Sequence, residues 1–130
     1  MAPYKVTFHP DAFLEYEALW AGIEASSNGR LYDDLTSLMG YAKHLEQFGE
    51  HALMTSFRVP NIGPPKGPWP SDRSVCYRIE GALGFAFLFN PQTEEFMVLS
   101  LGSKREIFQR YRSFELIDRG LEFLKGEVST

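Results

Sequence analysis

Three segments of this sequence follow one another with very little chain between them: RSVCYRIE (73–80), LGFAFLFN (83–90) and EFMVLSLG (95–102). Each is rich in β-branched and aromatic residues, which suit a pleated surface, and each is bounded by Gly, Pro, Asn or Gln. A fourth segment of the same kind, ALMTSFRV (52–59), precedes them. The connections EGALG and NPQTEE are short enough to be hairpin turns, so four strands in a row imply an antiparallel meander.

The first third of the chain has a different rhythm. YKVTFH (4–9) alternates, with Tyr4, Val6 and Phe8 on one side, and predicts a half-buried strand that Pro10 ends. From Asp11 the apolar residues Phe13, Tyr16, Trp20 and Ile23 recur at helical spacing. After the turn chemistry of SSNGR (26–30), Leu31, Leu35, Leu38, Ala42 and Leu45 form a second stripe, and Gly49 is placed to stop that helix. The two helices read as a hairpin covering one face of the sheet.

Between the first and second meander strands lies PNIGPPKGPWPSD, with Pro at 60, 64, 65, 68 and 70, which excludes regular structure and reads as a rigid connector anchored by Trp69. After Gly102, Ser103 and Glu106 have the spacing of a capping box and predict a helix starting at Lys104. Phe114, Ile117, Leu121 and Leu124 predict a last amphipathic helix over 114–125. The expected fold class is therefore α+β: an N-terminal strand and helical hairpin packed on a twisted antiparallel sheet, with a C-terminal helix. At 130 residues the chain is expected to form one domain, 1–130.

No apolar run approaches the roughly 20 residues of a membrane span, and the start lacks the pattern of a secretory signal. The single Cys76 excludes an internal disulfide and is expected to be a small buried side chain, so the cytoplasm is the expected location. The three histidines, His9, His44 and His51, lack metal-ligand spacing and are expected at the surface or at strand ends; no metal and no cofactor are expected. Nor does the chain carry a phosphate-binding loop, a dinucleotide fingerprint or a nucleophile elbow.

The net charge of −4 argues against indiscriminate coating of nucleic acid, and no DNA binding by the chain itself is expected. The charges are unevenly spread, however. Residues 1–50 hold 3 basic and 8 acidic side chains, whereas residues 51–112 hold 8 basic and 5 acidic. Lys104, Arg105, Arg110 and Arg112 fall within nine positions around Tyr111. Arg78 and Glu80, two apart on one strand, share a face. If Arg58 and Arg105 approach them, several guanidinium groups could surround one phosphate, while Glu80 or Tyr111 takes a proton from a ribose 2′-hydroxyl. We expect Arg78, Glu80 and Arg105 to group on the sheet face opposite residues 11–48.

The element order, and the junction LSLGSKREIFQRY above all, resembles the RelE/ParE/HigB superfamily of type II toxins, whose RelE branch has a similar junction after its last main strand and a Tyr six residues beyond the Arg. Arg105 and Tyr111 keep that spacing. The element order covers about residues 4–112, and similarity at the level of motifs is confined to 75–111. The resemblance implies a metal-independent, ribosome-dependent mRNA endoribonuclease that inhibits translation and is held inactive by a cognate antitoxin. Its catalytic residues would be Arg78, Glu80, Arg105 and Tyr111; Arg58, Arg73, Lys104 and Arg110 would bind RNA. The match departs from the family at two positions: Glu80 stands where a second basic residue is usual, and Ala86 stands where a phosphate-binding arginine would be. The competing expectation is a non-catalytic module of the same fold that binds a protein partner.

Overall fold

The computed structural model describes residues 4–49, 57–60, 74–90, 93–112, 115–124 and 126. The proline-rich connector, Trp69, Arg73 and His51 therefore lie outside the described residues, as does the expected strand as far as Ser56. The elements run β1 (Lys5–Phe8), α1 (Pro10–Ser26), α2 (Gly29–Phe48), β2 (Phe57–Pro60), β3 (Ser74–Glu80), β4 (Leu83–Asn90), β5 (Glu95–Ser103), α3 (Lys104–Arg112) and α4 (Glu115–Leu124). No helix among the described residues is long and apolar enough to cross a membrane.

The fold is α+β around one five-stranded sheet of order β1-β5-β4-β3-β2. Strands β2 to β5 form the expected antiparallel meander. β1 joins its far side in parallel with β5, Lys5 opposite Glu95 and Phe8 opposite Val98, so the sheet is mixed and not wholly antiparallel. β2 runs opposite to β1, and the three reversals of the meander then bring β5 round to the direction of β1.

Local signals in the sequence set the element ends. Pro10 stops β1 but also opens α1 at its first turn, where a missing N–H costs nothing, and His9 caps that helix by accepting the Asp11 N–H on Nδ1 at 3.1 Å. His9 does sit at a strand end, yet it is buried and not at the surface as expected. Ser27 adopts the left-handed conformation after α1, and the Asn28 side chain caps α2 through the Leu31 N–H. Gly49 ends α2 with φ 55°, and a Cβ there would collide with the Tyr4 ring. Gly81 takes φ 60° at the first position of the two-residue β3–β4 turn, where only glycine is comfortable. From α2, Asp34 reaches this turn and accepts the Ala82 N–H at 3.1 Å.

Both faces of the sheet are covered, so the molecule has three layers. On one face α1 and α2 bring Ala12, Ile23, Leu35, Leu38, Tyr41, Ala42 and Leu45 against Cys76, Leu83, Phe85, Phe87, Phe96, Val98 and Leu101. On the other face Ile107 of α3 and Leu116, Leu121 and Phe123 of α4 pack on Tyr77, Ala86, Leu88, Met97 and Leu99. The nearly continuous apolar run of β4 follows from this burial on both sides. A bulge at Leu99, where Ala86 pairs with Ser100 but Phe87 pairs with Val98, resets the alternation of β5 so that Leu99 and Leu101 serve opposite cores.

Candidate functional site

At the end of β5 the sequence closes its own helix start. The Ser103 hydroxyl accepts the Glu106 N–H at 3.1 Å, and the Glu106 carboxylate accepts the Ser103 N–H at 3.0 Å, forming the predicted capping box. The backbone N–H of Ser103 lowers the pKa of Glu106; partial burial acts in the opposite sense, and the Ser103 hydroxyl and Arg110 add to the lowering. The first backbone amide of α3, at Lys104, is bound to the Ala82 carbonyl, which ties the helix start to the β3–β4 turn.

This anchoring leaves Lys104 and Arg105 exposed, with no ion pair among the described residues. Together with Phe108 and Gln109 they line a shallow depression of about 570 Å³. Phe108 is exposed and stands edge-to-face on Tyr77, with ring centroids 5.6 Å apart.

Arg78 and Glu80 share a face, as the strand period requires, but it is not the face expected. The Arg78 guanidinium lies 4.6 Å from the centroid of the Tyr41 ring of α2 and forms an ion pair with Glu80, Nη2 to Oε1 2.8 Å and Nε to Oε1 2.9 Å. Both residues are therefore on the side of the helical hairpin, whereas α3, which carries Arg105, covers the opposite side. The expected grouping of Arg78, Glu80 and Arg105 is not formed. The physical reason is strand parity: Cys76, Arg78 and Glu80 point one way, and Tyr77, which meets α3, points the other. Ala86 likewise faces α3 and α4 and belongs to an apolar core.

Arg110 has a structural setting as well. Its Nη1 donates to the Ser100 hydroxyl at 2.8 Å and to the Leu101 carbonyl at 3.2 Å, and lies 3.4 Å from Glu15 Oε2. From α4, Arg119 donates to Glu15 at 3.1 Å and to the Leu99 carbonyl at 2.8 Å, while Glu15 accepts the Leu101 N–H at 3.0 Å. β1 ends at Phe8, opposite Val98, so the outer edge of β5 from Leu99 onward has no strand beside it. Glu15, Arg110 and Arg119 supply the hydrogen bonds that a further strand would have made. Of the other sequence candidates, Arg58 pairs with Cys76 in register, Tyr111 lies within α3, and their side chains are outside the described residues.

Sequence reasoning passed over a second surface. Phe8, Tyr16, Trp20 and Tyr32 form an edge-to-face series with successive centroid distances of 5.7, 6.2 and 5.6 Å. They line a groove of about 470 Å³ that lies along α1 and α2 beside β1. The sequence carried this signal in its Tyr16–Trp20 stripe, which reads equally well as core.

Comparison of the chain with family models, curated proteins and solved structures returned no match.

Proposed function

We propose that this chain is a non-catalytic protein-binding module on a RelE-like fold. The observation that carries this reading is the placement of Arg78 against Tyr41 on one side of the sheet and of α3, with Arg105, on the other. Cleavage of RNA by attack of a 2′-hydroxyl needs cations and a base converging within hydrogen-bond reach of one phosphate. Here Arg78 is neutralised by Glu80, and Arg110 by Glu15 and Glu106. The aromatic groove on the hairpin offers instead a half-exposed apolar surface of the kind that protein partners cover. The cytoplasm is the compartment this reading assigns.

The test has two arms. Induced expression in a bacterial host should leave growth intact, and an in-vitro translation reaction should show full-length mRNA by primer extension. A photo-cross-linking residue at position 32 in the groove should give a discrete protein adduct in the source cells, whereas one at position 118 on α4 should not. Absence of an adduct at position 32 would overturn the module reading.

A second reading, a toxin that cleaves mRNA on the ribosome and is held inactive by an antitoxin, is favoured by one specific feature. Lys104 and Arg105 are exposed and unneutralised among the described residues, and Phe108 beside them could stack on a base. Growth arrest with truncated mRNA, both abolished by Arg105→Ala, would replace the first reading with this one.

A further inference from the structure

We propose that the groove along α1 and α2 holds a proline-rich segment of a protein partner that also carries basic residues, bound in the extended polyproline II conformation. This rests on the binding-module reading and names the chemistry of the partner.

Three observations select that occupant. The first is the character of the rings. Tyr16, Trp20 and Tyr32 contact one another through their edges and faces, and their polar ends, two hydroxyls and an indole N–H, have no hydrogen-bond partner among the described residues. The groove thus combines apolar walls with a series of unused donors. An α-helix laid into it would present side chains only, because its carbonyls are already bonded within the helix. A polyproline II segment has no internal hydrogen bonds and leaves every carbonyl available to such donors, and its rings pack on aromatic faces.

The second observation is size. The groove runs along α2 from Tyr32 to Glu46, fourteen positions, a length of about 21 Å at the helical rise of about 1.5 Å per residue. An extended proline-rich chain rises about 3.1 Å per residue, so about seven residues span it.

Charge is the third. Between Pro10 and Phe48 the hairpin carries seven acidic and two basic side chains. Glu17, Glu24 and Asp33 are exposed and have no ion pair among the described residues. Glu17 and Asp33 directly follow Tyr16 and Tyr32, and Glu24 lies one helical turn beyond Trp20. At the other end of the groove its own lining charges, Lys43 and Glu46, offset one another. A partner segment with Lys or Arg beside its prolines complements this field, and each such pair adds little affinity but steers the encounter.

The test is a titration of the full isotope-labelled chain by nuclear magnetic resonance, following the Trp20 indole N–H, assigned by its loss in Trp20→Phe. One probe is an eight-residue peptide with prolines three apart and two arginines; the other has the same charges with alanine in place of proline. The proline peptide should bind saturably and shift the Trp20 signal, and Tyr32→Ala should weaken it about tenfold, as loss of a 1.4 kcal/mol aromatic contact requires. Trp20→Phe, which keeps the ring but removes the donor, should weaken binding measurably, followed through backbone amides of α2, with an unchanged unfolding midpoint. Equal or tighter binding of the alanine peptide would overturn the polyproline assignment and leave the module reading in place. So would saturable binding that neither variant alters. No saturable binding of either peptide would remove the groove as the site, while the cross-linking and mRNA experiments decide the module reading separately.

Discussion

The Glu15 carboxylate, on α1, accepts the backbone N–H of Leu101 at 3.0 Å, and so completes a strand edge that has no neighbouring strand there. The same carboxylate holds Arg110 and Arg119, all three side chains being less than a fifth exposed. Removing it leaves an amide without an acceptor and two largely buried guanidinium groups without their shared partner. Glu15→Ala should therefore cost about 3 kcal/mol, the range found when one member of a buried ion pair is deleted. Glu115→Ala removes only the half-exposed partner of Arg119, 3.5 Å away, and should cost about 0.5 kcal/mol or less. Urea unfolding of both variants checks the contrast.

Arg78 is predicted to act in stability and not in cleavage. It is about one-third exposed, so its pair with Glu80 is screened by water, and the contact with the Tyr41 ring supplies the larger share. Arg78→Met, which keeps the aliphatic stem, should lower stability by about 1 kcal/mol. A double-mutant cycle with Tyr41→Leu should return a coupling of about 0.5–1 kcal/mol. A coupling of zero would mean that the guanidinium gains nothing from the ring.

The capping box makes the start of α3 sensitive to acid. Glu106 has a folded pKa below its ordinary value of 4.5, chiefly because its carboxylate accepts the Ser103 N–H. A carboxyl lowered in the folded state contributes stability above its ordinary value, and that contribution is lost as pH falls through the lowered one. The unfolding midpoint should therefore fall on acidification below 4.5 more steeply in the wild type than in Glu106→Gln. Glutamine keeps an acceptor for the Ser103 N–H but lacks the charge and the pair with Arg110, so at neutral pH the variant should be modestly the less stable, and the gap should close on acidification. Thermal unfolding followed by circular dichroism across pH 3 to 7 checks this.

The β3–β4 turn should tolerate no side chain at its first position. Gly81→Ala combines a positive φ with a clash between the new Cβ and the Asp34 carboxylate, and should destabilise by about 1–2 kcal/mol. In Asp34→Ala the clash disappears, so Gly81→Ala should cost less in that background by about 0.5 kcal/mol or more. Additive losses would show that the backbone conformation alone carries the penalty.

Local chemistry was the most legible part of the sequence. Ser103 and Glu106, and Gly49, were readable as helix ends, and SSNGR as a turn, because their partners lie within a few residues. The strand segments were readable from composition, and alternation correctly placed Arg78 and Glu80 on one face. It could not say which face, because β4 is apolar on both sides and gives no polar surface to orient by. The bulge at Leu99 breaks the period where Arg110 and Arg119 reach β5, which hid their structural setting. The parallel β1–β5 pair and the Glu15 link to Leu101 join distant parts of the chain and have no local signature.

That β1–β5 pairing also dictates an order of events as the chain is made. Lys5 and Glu95, partners in the finished sheet, are 90 positions apart. A ribosome adding about 5–20 residues per second delivers the first strand and both helices seconds before the strand that will hold them. Until β3 and β4 have followed, Leu35, Leu38 and Leu45 of α2 have no sheet to cover. The nascent hairpin is then an apolar, acidic fragment, open to chaperones or to an early partner, and synthesis speed through residues 50 to 90 sets how long it stays so.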